Sequence, residues 1–354
     1  MNDIAVAPAD LSATRLVALD WGTSSLRAYR LGDGGRVLEL RHRPWGIMHL
    51  PPAPVCEDAG TDAAFERALQ DACGDWLAAA PQLPLLACGM VGSAQGWREA
   101  RYLHTPTSLD ALAHGLTRVE RPGGQPLHIV PGLLQTGELP NVMRGEETQV
   151  LGVLALQPAE DAGPWLVGLP GSHSKWVVAQ RSGIAGFHTF MTGEVFAALR
   201  GHTILGRTMA PAEAPGSALP DDAAFVRGLR VAGGCDAGLG LLSHLFSTRT
   251  LGLTGVLPAS AQADYLSGLL IGHEVAALAR VHPPGGPEAP VQPLLCGEPD
   301  LCRRYALALR LQGFAEPAIA AQATPTGLWQ IARAAGLPAP GTPQQPSSAE
   351  SLAA

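Results

Sequence analysis

Asp20 is followed by Trp21-Gly22-Thr23-Ser24-Ser25, directly after the apolar run Leu16-Val17-Ala18-Leu19. Four apolar residues suit a buried strand, and the polar, Gly-containing run suits a tight turn into a second strand. A turn of this kind aligns successive backbone N–H groups into an anion site, beside an acid able to hold a cation. Anion plus divalent metal is what a nucleoside triphosphate presents. The Asp-x-Gly-Thr pattern is also an ordinary strand–turn signature, so the spacing alone leaves both readings open. A related pattern returns in the second half, where Leu166-Val167-Gly168-Leu169 leads through Pro170-Gly171-Ser172-His173 to Ser174-Lys175-Trp176-Val177. Aligning Gly22 with Gly171 pairs Thr23 with Ser172 and Ser25 with Ser174. Internal self-similarity fixes architecture: two such units facing each other would hold a triphosphate from both sides, and two unrelated glycine turns are the alternative.

Three further stretches carry polar chemistry. Gly89-Met90-Val91-Gly92-Ser93-Ala94-Gln95-Gly96-Trp97 follows the apolar run Leu83 to Cys88. Its glycines allow close backbone approach, and Ser93 and Gln95 can bond to ligand hydroxyls; a plain loop with one core Trp fits the same letters. Asn141-Val142-Met143-Arg144-Gly145-Glu146-Glu147-Thr148-Gln149 precedes a helical run, Val150 to Leu156. Carboxylates at a helix start are favoured by its dipole, so capping is one reading. The other makes one Glu a general base and Arg144 a ligand for an anionic substrate. Gly297, between a strand (Val291 to Cys296) and a helix (Leu301 to Gln312), could let an adenine ring lie against backbone, though such turns are common in any α/β fold. His173 in such a turn commonly bonds a neighbouring backbone group, and strand alternation reads Lys175 as a surface charge.

The elements that position these residues follow from periodicity. Strands over Ala28–Leu31 and Arg36–Leu40, joined by Gly32-Asp33-Gly34-Gly35, complete an antiparallel meander with the first. Thr61 to Ala79 has helical spacing through Phe65, Leu69, Cys73 and Trp76. Ile184 to Met191 mirrors the third strand, and helices are expected over 195–205, 221–232, 236–250, 261–281 and 326–335.

The chain has 354 residues, 46% hydrophobic and 16% charged, with a net charge of −7. That is a two-domain soluble α/β chain with ample core. The Lys and Arg residues are dispersed, which argues against a nucleic-acid partner. No apolar run reaches the ~18–20 residues of a membrane span. The first residues lack the basic start of a secretory signal, and the six cysteines form no Cys-x-x-Cys pair. A cytoplasmic protein with reduced thiols is expected, without a zinc site. Oligomeric state is not fixed by the sequence, and a homodimer is compatible with it.

Two Gly-hydroxyl turns in this arrangement resemble the actin–hexokinase–chaperone ATPase superfamily. Within it, Leu19-Asp20-Trp21-Gly22-Thr23-Ser24, Cys88-Gly89-Met90-Val91-Gly92-Ser93 with Gln95-Gly96-Trp97, Met143 to Gln149, Leu169 to Trp176 and Phe190-Met191-Thr192-Gly193-Glu194 resemble the 2-dehydro-3-deoxygalactonokinase family, in the family's order. Arg101 and His104 stand where the family pattern has Pro. The resemblance implies two ribonuclease-H-like domains around a nucleotide cleft, with ATP and Mg²⁺ as cofactors. A sugar acid would be phosphorylated at its 6-hydroxyl, giving 2-dehydro-3-deoxy-6-phosphogalactonate in D-galactonate catabolism. Asp20 would hold the metal, and Gly22, Thr23, Ser24, Gly171, Ser172, His173 and Gly297 would bind the nucleotide. Gly92, Ser93, Gln95, Trp97 and Arg144 would bind the sugar acid, with Glu146 the preferred base over Glu147. The implied division is a tail (1–14), domains over 15–160 and 161–337, and a tail over 338–354. Rival readings are a kinase of another sugar or sugar acid and a nucleotide-dependent assembly or chaperone protein on the same fold.

Overall fold

The computed structural model describes residues 11–52, 61–161, 163–211, 222–234, 237–285 and 292–337. Most of the two expected tails, together with Cys56 and Cys235, lies outside the described residues. Residues 11–14 do not behave as a tail: Leu11 packs on the first core, and Thr14, 4% exposed, donates its N–H to Leu11 O at 2.9 Å.

The chain forms two compact units, and it passes between them more often than periodicity reveals. One unit runs to Leu103, takes Leu109–Gly132 and resumes at Thr324; the other comprises His104–Ser108 and Leu133–Ala323. In the first unit β1 (Leu16–Trp21), β2 (Leu26–Leu31) and β3 (Val37–Arg43) form the expected meander. Helix α1 (Thr61–Ala79) leads to β4 (Leu85–Cys88), which pairs parallel to β1. The chain then crosses at β5 (Tyr102–His104), and α2 (Leu109–His114), β6 (Thr117–Val119) and β7 (Leu127–Ile129) follow, giving the sheet order β3-β2-β1-β4-β7-β6. β1 is buried along nearly its whole length, as a central strand covered on both faces must be.

The second unit repeats this plan. After the antiparallel pair β8 (Gly132–Gln135) and β9 (Asn141–Met143) comes helix α3 (Glu146–Ala155), then β10 (Trp165–Leu169), β11 (Ser174–Gln180) and β12 (Gly183–Phe190) as a second meander. Helices α4 (Thr192–His202), α5 (Asp222–Gly233), α6 (Gly240–Leu253) and α7 (Gln262–Val281) precede β13 (Gln292–Leu295). β13 pairs parallel to β10, as β4 does to β1; α8 (Pro299–Leu311) then leads to β14 (Ala318–Ile319), giving the order β12-β11-β10-β13-β14. Three antiparallel strands continued by parallel ones in each unit is the ribonuclease-H-like arrangement, so both units match the expected fold class.

The expected boundary at residue 160 does not follow the chain's path. Helix α3 packs on β10, β11 and β12, within the second unit. The last helix, α9 (Ala323–Ala334), returns to the first unit, where Trp329 lies so close to Gly35 that a Cβ there would fall 2.6 Å from its ring. Amphipathic spacing shows that a helix has a buried face, not which sheet receives it.

Each unit has its own core. In the first, Trp21, Phe65 and Trp97 form an aromatic cluster, with Trp97 stacked on Phe65 at 5.7 Å and edge-on to Trp21 at 6.0 Å. Trp97 is only 5% exposed, so the core reading of this residue holds, and any part in binding is indirect. Trp97→Ala is expected to lower unfolding free energy by about 3–5 kcal/mol, the usual range for a large buried aromatic. Urea denaturation checks this; loss of sugar-acid affinity at unchanged stability would return Trp97 to the ligand-binding residues.

Candidate active site

The first turn is held from behind. Gly22 N donates to Ser25 O at 2.9 Å, closing it, while the Gly22 and Thr23 carbonyls accept from Ile47 N and Met48 N at 3.1 and 3.2 Å. That backing segment includes Gly46, where a Cβ would sit 2.2 Å from Thr23 O. With its carbonyls drawn inward, the turn leaves Thr23 and Ser24 exposed, and neither donates its backbone N–H among the described residues. Trp21 Nε1 anchors the same segment by donating to Trp45 O at 2.8 Å.

Asp20 lies opposite Arg27 in the β1–β2 ladder, and Arg27 Nη1 donates to its Oδ2 at 3.1 Å. Burial pushes the Asp20 carboxyl above the usual aspartate value, and Arg27 opposes that shift. No cluster of three or more His, Cys, Asp or Glu able to cage a metal exists among the described residues. A single carboxylate beside this turn would suit Mg²⁺ arriving with a nucleotide, since that ion is usually held by one or two carboxylates plus phosphates and water.

Asp20 also pairs in register with Cys88, so the loop after β4 starts beside it. A 3-10 turn at Met90–Gly92 winds this loop tightly: Ser93 N donates to Met90 O and Gly96 N to Ser93 O, each at 2.9 Å. Gly92 is buried and Gln95 exposed. Ser93 Oγ is buried without a hydrogen-bond partner among the described residues. The first unit thus brings together Asp20, Gly22, Thr23, Ser24, Gly92, Ser93 and Gln95.

The second unit assembles the acids. Helix α3 begins at Glu146, four residues before the apolar periodicity, because its first turn is polar and folds back on itself. Glu146 Oε2 accepts from Arg144 N at 3.0 Å, and Glu147 Oε2 accepts from Gly145 N at 2.7 Å. The two glutamates then part. Glu147 is fully buried, with Thr148 Oγ1 donating to its Oε1 at 3.0 Å. Glu146 keeps 28% of its side chain exposed, and its Oε1 lies 3.5 Å from Lys175 Nζ. Lys175, expected on the surface, is 5% exposed. The alternation was right, but the face it selects is covered by α3. Arg144 is 9% exposed.

The second turn is backed as the first is. A Cβ on Gly193 would fall 2.4 Å from Gly171 O, and Glu194 N donates to Ser172 O at 3.0 Å. His173 Nε2 bonds the Glu194 side chain rather than a backbone group. Beside the turn opens a cavity of about 470 Å³, lined by Gly171, Ser172, Gly193, Glu298, Arg304 and Tyr305 among others. Gly297 is exposed and does not line this cavity; a Cβ on it would lie 3.3 Å from Pro170 O, and Glu298 caps α8 by accepting from Asp300 N and Leu301 N. Glu274, unremarkable in the sequence, joins these parts. It is 3% exposed and accepts from Trp176 Nε1 and Tyr305 OH, each at 2.7 Å, and from Thr192 Oγ1. Burial raises its carboxyl above the ordinary value against those three bonds. A charged residue on a long helix reads as a solvated face, so no sequence signal marked it.

A sequence profile of the 2-keto-3-deoxy-galactonokinase family matches residues 20–331. The 2-dehydro-3-deoxygalactonokinase of Escherichia coli (strain K12) is 36% identical over 268 residues, covering 75% of this chain and 80% of that one. A Rhizobium meliloti (strain 1021) protein described as a candidate 2-dehydro-3-deoxygalactonokinase is 38% identical over 323 residues, covering 90% of this chain and 96% of that one. The crystal structure of a Sinorhizobium meliloti protein described in the same way superimposes with a TM-score of 0.75 at 35% identity, covering 90% of this chain and 98% of that one.

Glu147 gives the fold a pH dependence of known sign. Burial first, and the neighbouring Glu146 second, push its carboxyl up to about 7 from 4.5 in the absence of structure. The folded state therefore binds more protons between those values. Stability is expected to fall as pH rises from about 5 to about 8, by on the order of 3 kcal/mol. Glu147→Gln, which keeps an acceptor for Gly145 N, should flatten that dependence in urea titrations across the range. An equally steep decline in the variant would assign it to another group.

Proposed function

This chain belongs to the 2-keto-3-deoxy-galactonokinase family, a family of ATP-using kinases of galactonate catabolism, and from that premise we propose that it phosphorylates the 6-hydroxyl of 2-dehydro-3-deoxy-D-galactonate. The observation that carries the reading is Glu146: a half-buried carboxylate at the start of α3, bonded to Arg144 N and facing Lys175, whose strand leaves the second turn. Phosphoryl transfer needs positioning and charge stabilisation more than covalent machinery.

In the proposed mechanism the N–H groups of Thr23 and Ser24 and the turn Gly171-Ser172-His173 hold the phosphates. The cavity bounded by α8 takes the nucleoside, with Gly297 at the strand end just before that helix. Asp20 would hold Mg²⁺, which supplies charge neutralisation along the phosphate chain. Gly92, Ser93 and Gln95 bind sugar hydroxyls, the buried and unpartnered Ser93 Oγ being the best-placed donor. Arg144 answers the substrate carboxylate with a planar, permanently charged guanidinium. Glu146 takes the proton of the 6-hydroxyl as that oxygen bonds to the γ-phosphorus, and the bond to the β–γ bridging oxygen breaks to release ADP. Glu147 is not needed as a proton acceptor, because it is enclosed and serves Gly145 and Thr148. The four described cysteines are free and buried, in keeping with a reducing cytoplasmic setting, and no described helix is long and apolar enough to cross a membrane.

A panel of sugar acids with coupled ADP detection tests the substrate, and phosphorus NMR of the product tests the position. The highest kcat/KM is expected for 2-dehydro-3-deoxy-D-galactonate, with phosphate on O6; a better substrate of another class would overturn the assignment. Glu146→Gln is expected to lower kcat by ~10²–10⁴-fold with small changes in KM, the usual range for loss of a general base. Glu147→Gln should cost far less, and the reverse ranking would move the base one residue along. Arg144→Lys should raise KM for the sugar acid and leave that for ATP little changed, since a lysine cannot make a bidentate contact. An equal rise for both would make Arg144 structural.

A further inference from the structure

β11 leaves the second turn with side chains alternating between the two faces of its sheet. On one face Ser174 Oγ bonds Tyr305 OH at 2.8 Å and Trp176 Nε1 bonds Glu274 at 2.7 Å, so the strand is fixed there by a buried polar hub. On the other face Lys175 reaches α3, with its Nζ 3.5 Å from Glu146 Oε1. An ammonium only 5% exposed needs a counter-charge to be tolerated there. The groups packed around this pair supply few others. β10 carries no titratable side chain, and β9 none. The single titratable residue of β12, His188, is in register with Trp176 and lies against His282, with ring centroids 5.5 Å apart. On α3 itself Glu147 is engaged with Gly145 and Thr148, and Arg144 precedes the helix through its own backbone bond to Glu146.

We propose that Lys175 is the positioning residue of the phosphoryl-transfer base: it fixes the Glu146 carboxylate at the start of α3 and ties it, through two residues of β11, to the second phosphate turn. The proposal rests on Glu146 being the proton acceptor. The base cannot drift from the turn without dragging a buried ammonium, and Lys175 cannot move without unseating Ser174 and Trp176 on the opposite face.

The test uses the full chain with ATP and the sugar acid, comparing Lys175→Met, Lys175→Arg, Glu146→Gln and the double variant Lys175→Met/Glu146→Gln. Lys175→Met is expected to lower kcat roughly 10–100-fold, with both KM values within about twofold, as expected for loss of an interaction made in the transition state. Lys175→Arg, which keeps a cation opposite Glu146, should recover most of the lost kcat, and the double variant should be no slower than Glu146→Gln alone. Multiplicative losses in the double variant would overturn the proposal, and so would a raised KM for ATP with kcat unchanged, which would make Lys175 a nucleotide ligand. An active Glu146→Gln would remove the base assignment itself, a result distinct from an unaffected Lys175→Met in a chain where Glu146→Gln is crippled. Should Lys175→Met not fold, Lys175→Arg decides alone: a reduced kcat with both KM values unchanged supports the positioning role, and a raised KM for ATP as its sole effect refutes it.

Discussion

Behind each of the two glycine–hydroxyl turns, backbone lies against backbone at a distance that admits no side chain. Gly46 meets the carbonyl of Thr23, and Gly193 meets that of Gly171, where a Cβ would stand 2.2 and 2.4 Å away. This contact does more than save space. It turns the carbonyls inward to partners on the backing segment, Ile47 and Met48 in one case and Glu194 in the other. The surrounding structure serves the same end. Trp21 pins the first backing segment through Trp45, and Glu274 pins the second through Thr192, one residue before Gly193.

Glu274 shows how a costly group becomes useful. A carboxyl buried to this extent costs several kcal/mol unless its oxygens are answered. Here three donors from three different elements converge on it: Trp176 of β11, Thr192 at the head of α4 and Tyr305 of α8. Those elements are the second turn's own exit strand, its backing helix and the helix beside the cavity. A hydrophobic substitute of similar volume would fill the space without fixing their relative register.

What could be read from the sequence was local. The meander β1–β3, helix α1 and the second strand–turn–strand at β10–β11 followed from runs of apolar residues broken by Gly and hydroxyls. Helix α3 was placed four residues late because its first turn is built from carboxylates that fold back on Arg144 N and Gly145 N, which apolar periodicity does not register. The burial of Lys175 and Glu274 was hidden for a different reason: a charge in a strand or helix reads as solvated until its partner is known, and both partners come from distant elements. Trp97 joined the ligand-binding residues through the family resemblance, although a plain loop with one core Trp fitted the same letters. Its stack is instead with Phe65, one helix away in the core.

The route of the chain has a consequence for its birth on the ribosome. The unit that opens the sequence is left incomplete when synthesis passes Gly132, because α9, with Trp329 against Gly35, has yet to be made. The other unit, from Leu133 to Ala323, is whole in the nascent chain before that helix emerges. Vectorial synthesis therefore favours an order in which the half carrying Glu146 and the second turn matures first. The half carrying Asp20 waits, with the Gly35 side of its core uncovered, for a helix translated nearly two hundred codons after Gly132.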